Sequence, residues 1–238
     1  MNPALGQVET AADELGLHIS PQASERFDAY LQEVLAWASQ IGLTAALTAP
    51  EGVGLHFVDS LLPLAIWDFP PGCRVVDVGS GAGFPGMPLK IVRPDLRLTL
   101  VDASRRRVAF LERLRASLGL DEVEIVWGRA EELGHHAEHR SAYERSVERA
   151  TAGLGVSAEL CLPLVRPGGA SIFLKGPTVY QELSRAGPLI EALGGRVEAC
   201  VARALPTTDR RRVTVVISKV RAPASRFPRR GPRLGDPP

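Results

Sequence analysis

Four glycines within eight residues, directly after an apolar strand-forming run, set the first constraint on this chain. Val75-Val76-Asp77-Val78-Gly79-Ser80-Gly81-Ala82-Gly83-Phe84-Pro85-Gly86 reads as a strand carrying a carboxylate near its end, a tight loop and a helix start. Such a loop lets backbone approach a ligand closely. Gly81-x-Gly83-x-x-Gly86 also satisfies the spacing of a dinucleotide fingerprint, whose physical basis is pyrophosphate on a helix N-terminus. Taken alone, that match is weak. Pro85 and Pro88 fall in the first helical turn and supply no backbone N–H, so the donors that would hold a pyrophosphate are depleted. Asp77 would repel a phosphate and suit a cation. S-adenosylmethionine, with an ammonium, a sulfonium and no phosphate, fits these residues better, and Asp77, Gly79, Gly81 and Gly83 are the expected contacts of its loop.

Leu98-Thr99-Leu100-Val101-Asp102 is a second strand ending in an acid, 25 residues after Asp77. In a parallel βαβ unit both strand ends lie at one edge, where Asp102 either accepts hydrogen bonds from two ribose hydroxyls or caps the helix that follows. Beyond Pro70-Pro71-Gly72, helix and strand patterns alternate. Strands are expected near residues 74–78, 97–101, 124–127, 145–148, 170–174, 197–205 and 212–219, and helices near 85–92, 104–118, 155–164 and 179–193. The alternation predicts an α/β fold with a doubly wound, mostly parallel seven-stranded sheet ending in an antiparallel hairpin.

Before that breaker, Ser20-Pro21 starts a helix to about Ile41 with Phe27, Tyr30, Leu31, Val34, Leu35 and Ala38 at helical spacing. A second helix is expected over 51–67, so residues 1–69 read as a helical lobe, 70–220 as the ligand-binding domain and 221–238 as an Arg/Pro-rich disordered tail. His56 and Asp59 are three apart and share a helix face, as a structural pair or as a substrate contact. The net charge of +1 hides asymmetry: residues 1–67 hold eight acids and one base, while the tail alone is +4. A polyanion would meet the middle and end of the chain. No apolar run is long enough to span a membrane and the first residues are acidic, which gives a cytoplasmic expectation. Cys73, Cys161 and Cys200 have no metal-ligand spacing, and His135, His136 and His139 read as a solvated loop, so no metal is expected.

Ligands in such sheets bind beyond the carboxyl ends of the strands. Gly128-Arg129-Ala130-Glu131 follows the third strand and would place backbone N–H groups near an adenine, with Glu131 nearby. Arg149 follows the fourth strand and Lys175 the fifth. Each reads singly as a loop charge in water; together, beside a cofactor loop, they mark where an anionic substrate would enter.

These stretches closely resemble the bacterial ribosomal RNA small-subunit methyltransferase G family, formerly called glucose-inhibited division protein B. The resemblance runs over about residues 20–220. It is carried by residues 77–89 with Ile91-Val92-Arg93-Pro94, and by Leu43-Thr44-Ala45, His56-Phe57-Val58-Asp59-Ser60-Leu61, Val101-Asp102, Arg107-Val108, Phe110-Leu111, Arg149-Ala150, Leu174-Lys175-Gly176 and Val215-Val216-Ile217. Gly42 stands where the family usually has Asn, and Ser80 and Ala82 where Thr and Pro are common. The resemblance implies a Rossmann-like methyltransferase fold and transfer of methyl from S-adenosylmethionine to N7 of a guanine in the 530 loop of 16S rRNA. It also implies donor contacts at Gly79, Phe84, Ala130, Glu131 and Arg149. The implied partner is 16S rRNA or the small ribosomal subunit; a monomer is expected, with no membrane and no metal.

Guanine N7 carries an in-plane lone pair, so its attack on a sulfonium methyl needs alignment and no general base. Cytosine C5 chemistry would need a nucleophilic cysteine, and none of the three cysteines follows a proline, as that class of enzyme would require. Exocyclic-amine methyltransferases resemble one another in an Asn/Asp-Pro-Pro-aromatic element, where this chain has Glu148-Arg149-Ala150-Thr151. Arg149 and Lys175 are therefore expected to steer RNA phosphate or guanine O6, and Arg149→Ala to reduce transfer far more than stability. The alternatives are a small-molecule methyltransferase using the same loop, a nicotinamide dehydrogenase, disfavoured by Pro85, Pro88 and Asp77, and a SAM- or RNA-binding module without turnover.

Overall fold

Near-continuous apolar strands suit a sheet covered on both faces, and a computed structural model has that form. It describes residues 3–38, 50–149, 152–205, 210–229 and 231. Gly42, Leu43-Thr44-Ala45, Ala150-Thr151 and the last turn expected of the 21–41 helix lie outside the described residues. The strands are β1 (Arg74–Val78), β2 (Arg97–Asp102), β3 (Glu124–Trp127), β4 (Tyr143–Arg149), β5 (Val165–Lys175), β6 (Gly195–Ala204) and β7 (Arg211–Lys219). They form one sheet in the order β3-β2-β1-β4-β5-β7-β6. The pairs from β3 through β5 are parallel, and β7 runs antiparallel to both β5 and β6. Chain order reverses at β1, which pairs with β2 on one side and β4 on the other. The crevice beyond these carboxyl ends is where a doubly wound sheet takes its ligand.

Helices α1 (Pro3–Glu14), α2 (Pro21–Trp37), α3 (Pro50–Ile66), α4 (Gly86–Val92) and α5 (Arg105–Ser117) cover one face. The other face carries α6 (Ala130–Leu133), α7 (Leu154–Cys161) and α8 (Val179–Ala192). α2 begins where its signals agree: the Ser20 hydroxyl accepts from the Ala23 amide at 3.2 Å, and Pro21 occupies the first turn. Phe27, Tyr30, Leu31 and Val34 then point into the same core as Phe57 and Leu61 of α3, Met87 of α4, and Leu98 and Leu100 of β2. The described residues ahead of residue 70 thus share the core of the sheet, and the proline break at 70–72 is a turn beside that core.

Two expectations need correction. α1 and the single-turn α6 were not anticipated, although Leu5, Val8, Ala11 and Ala12 form a buried helical stripe in α1. Residues 221–229 are packed: Phe227 is 1% exposed, Arg229 makes a salt bridge to buried Glu159 at 2.8 Å, and Arg140 donates to the carbonyls of Gly134 and Phe227 at 2.6 and 2.7 Å. One aromatic anchor and two guanidinium clamps offset the ordering entropy that a Pro/Arg composition alone cannot. The histidine segment is the solvated loop expected, with His135 and His136 exposed, and it borders this strap: the His135 ring meets the Pro228 carbonyl at 2.8 Å, and His139 meets the Tyr143 hydroxyl at 2.8 Å. Among the described residues no group of three His, Cys, Asp or Glu is placed to hold a metal ion, and no helix is long and apolar enough to cross a membrane.

Candidate donor-binding site

The glycine loop is held from three sides. From the sheet, the amides of Gly79 and Ser80 donate to the Val101 carbonyl at 2.9 and 3.0 Å. The Ser80 hydroxyl donates to the Asp77 carbonyl at 3.0 Å and accepts from the Val101 amide at 3.1 Å. From the two acids, Asp77 Oδ2 accepts from the Gly86 amide at 2.8 Å and Asp102 Oδ2 from the Gly81 amide at 2.9 Å. From the helices, the Tyr30 hydroxyl donates to the Ala82 carbonyl at 2.6 Å, and its ring stacks on Phe84 with centroids 5.2 Å apart. Gly79, Gly81 and Gly83 take φ of +72°, +60° and +97°, which side-chain-bearing residues seldom adopt.

A cleft of about 120 Å³ opens beside this loop, bounded by Gly79, Asp102, Ala103, Gly128, Ala130, Glu131 and Leu160 among others. It therefore brings together four of the expected donor contacts: Gly79, Asp102, Ala130 and Glu131. Asp102 Oδ1 accepts from the Ser104 amide at 2.8 Å just before α5, and the residue also lines the cleft. The cleft is smaller than the roughly 300–1,000 Å³ of most small-molecule sites, so it can enclose only part of a larger ligand. Sequence reasoning missed Leu160, which arrives from α7, and Tyr30, which props the loop from 52 residues away; no local pattern marks either.

The other expected residues stand behind the loop. Asp77 is 0% exposed and its Oδ1 has no hydrogen-bond partner among the described residues. Burial pushes its carboxyl up to about 7, against the Gly86 amide and Arg149, which pull it down. Gly83 and Phe84 are walled in by Tyr30, and Phe84 has the Arg149 guanidinium 4.8 Å from its ring centre.

Arg149 and Lys175 are inward-facing, where exposed steering charges were expected. Arg149 Nη1 donates to the His56 carbonyl at 3.2 Å and lies 3.3 Å from Asp59 Oδ2; Asp59, 1% exposed, also has Arg212 Nε 3.2 Å from Oδ1. His56 and Asp59 thus form a structural junction between α3 and the sheet. Burial, then Arg149, Arg212 and Arg210, hold the His56 ring neutral, with its pKa lowered to about 3. The Lys175 ammonium meets Glu148, the Ala152 carbonyl and the Ser157 hydroxyl at 2.7, 2.8 and 2.7 Å. All three of its N–H bonds are spent inside the protein.

Comparison with known proteins gives one consistent picture. The family model for GidB, rRNA small subunit methyltransferase G, matches residues 23–211. A ribosomal RNA small subunit methyltransferase G from a Geobacillus species is 38% identical over 94% of both chains. Its counterpart from Pelotomaculum thermopropionicum is 39% identical over 94% of this chain and 93% of the relative. Among solved structures, a variant of MtNAS in complex with S-adenosylmethionine is similar in fold, with a TM-score of 0.55 at 17% identity over 93% of this chain and 79% of the other.

Proposed function

The chain belongs to the rRNA small subunit methyltransferase G family, and from that premise we propose that it methylates N7 of a guanine in the 530 loop of 16S rRNA, with S-adenosylmethionine as donor. The observation that carries the reading is the positive-φ glycine loop backed by two carboxylates at the β1/β4 reversal, with the cleft beside it. The loop suits a phosphate-free cation: Pro85 and Pro88 withhold amides at the helix start, and the unpartnered Asp77 Oδ1 adds negative potential. Gly79, Asp102, Ala130 and Glu131 would hold the nucleoside end, and the loop up to Phe84 the remainder. When bound, the donor supplies a methyl group on a sulfonium that leaves as a neutral thioether. The chain's own task is alignment and exclusion of water, because guanine N7 needs no proton removed. Lys175 and Arg149 act as supports of the loop and the strand ends.

Tritiated methyl transfer tests the reading directly. Purified protein is expected to label 30S subunits or stripped 16S rRNA at one guanine of the 530 loop; label elsewhere, or none, would overturn it.

A second expectation concerns pH. A cation beside the loop favours ionised Asp77, whose carboxyl titrates near 7 in the free protein. Donor binding below that pH must release the proton, so affinity rises with pH up to about 7 and levels off above it, by at most about tenfold per pH unit. Calorimetry between pH 5.5 and 8, in buffers of different ionisation enthalpy, should show proton release for the wild type and none for Asp77→Asn. A flat affinity without proton release would show that Asp77 does not sense the donor's charge.

A further inference from the structure

The end of β3 carries an exposed aromatic group that is not among the residues lining the donor cleft. Trp127 is 53% exposed, in register with Asp102 at the ligand edge of the sheet. Its indole N–H donates to the Ala103 carbonyl at 3.1 Å, and the Arg105 guanidinium lies 4.1 Å from its ring centre. The ring is fixed in place while half of its surface stays in water, an unusual state for tryptophan. Arg105 and Arg106, both exposed, open α5, followed by Arg107, whose side chain is 42% exposed, and Arg129, two residues beyond Trp127 and also lining the donor cleft, has a side chain 66% exposed. Asp102 lies 3.6 Å from Arg107 and Glu131 3.4 Å from Arg129, so two acids answer four guanidinium groups.

We infer that Trp127 and these arginines form a platform for an unpaired stretch of the RNA substrate, stacking one base on the indole and pairing phosphates with Arg105, Arg106 and Arg129. A planar aromatic group amid arginines is the combination that single-stranded nucleic acid recognises: bases stack on the ring and the backbone follows the charge. Trp127 is preorganised by its hydrogen bond and its cation–π contact, so little ordering cost remains on binding. β3 lies three strand positions from β4, about 14 Å at the usual spacing of about 4.8 Å. At about 3.4 Å per stacked nucleotide, the platform meets the RNA roughly four nucleotides from the base presented at the β1/β4 crevice.

The inference rests on the rRNA reading above, and its test separates the two. Wild-type transfer to 30S subunits judges that reading; binding of a 530-loop RNA hairpin by variants, read by filter retention across a salt series, judges the platform. Trp127→Ala is expected to weaken hairpin binding on the order of tenfold, with the salt slope and the affinity for S-adenosylmethionine unchanged. Arg105→Ala is expected to make the slope of log affinity against log salt shallower by about 0.7. If Trp127→Ala fails to fold, Trp127→Phe and Trp127→Leu decide: the planar ring should bind near the wild-type value, the aliphatic one as weakly as a lost stack. Hairpin binding within twofold of wild type for the Trp127 variants removes the platform. A matching loss of donor affinity would assign the indole to the donor instead.

Discussion

Alanine at position 83 is expected to abolish donor binding and to lower the melting temperature by roughly 5–15 °C. Gly83 has a φ of +97°, and a Cβ built there meets the Tyr30 hydroxyl at 2.6 Å, Met87 Cγ at 3.0 Å and Leu111 Cδ2 at 3.4 Å. Two costs of about 1–3 kcal/mol each arise, one from the backbone conformation and one from overpacking. The nearest neighbour does not yield easily: Tyr30 is fully buried between Phe57 and Phe84, and its hydroxyl holds the Ala82 carbonyl. Relief comes at the expense of the loop that Tyr30 supports. Tyr30→Phe alone should cost about 1 kcal/mol through the orphaned Ala82 carbonyl, yet the same change in a Gly83→Ala background removes the closest clash. The double variant should therefore be more stable than the two single effects predict when added, by about 1 kcal/mol in urea melts. Strict additivity would mean that the tyrosine does not set the space available to the loop.

What the chain discloses before folding is the part encoded by neighbours in sequence. β1 and β3 begin and end where their apolar runs do, and the glycine loop, its two carboxylates and the sheet's carboxyl edge are readable because all lie within β-loop-α units. β5 is longer than its apolar run. Val165-Arg166-Pro167-Gly168-Gly169 has turn composition, but Val165 pairs with Tyr143 ahead of an irregularity in the β4 register, and that pairing extends the strand. α1 is hidden by its small residues, since Ala11 and Ala12 complete a stripe that is buried once α3 and α2 pack on it. Charge misleads most where its partner is distant. Lys175 looks like a free cation at a strand end until the neighbouring strand supplies Glu148 and the following helix supplies Ser157. Arg229 looks solvated until Glu159 and Arg140 show where the segment docks. Local pattern locates the site; which of its charges face the reactants is set by contacts tens of residues apart.

Arg149→Ala is expected to cost about 3–5 kcal/mol of folding stability, reversing the order of effects that its position after β4 suggests from sequence alone. The guanidinium has a side chain only 10% exposed, and burial pulls its pKa down while Asp59 pulls it up. Truncation takes from the buried Asp59 carboxylate its Oδ2 partner, leaving Arg212, whose 3.2 Å approach to Oδ1 lacks hydrogen-bond geometry, and removes the donor to the His56 carbonyl. It also strips the cation from Phe84, at the end of the donor loop. Lysine should not rescue the fold, because one ammonium cannot at once reach Asp59 and the His56 carbonyl and lie flat over an aromatic ring. Asp59→Asn should recover part of the loss in the Arg149→Ala background by removing the uncompensated charge, giving a coupling of about 1–3 kcal/mol between the two sites. Denaturant melts of the four proteins measure this, and methyl transfer assayed cold, where the variants remain folded, should fall chiefly through a raised KM for the donor as the Phe84 end of the loop loosens. An Arg149→Ala protein within about 1 kcal/mol of wild type that still loses transfer at saturating donor would return Arg149 to the reactants, and with it the steering role that its burial argues against.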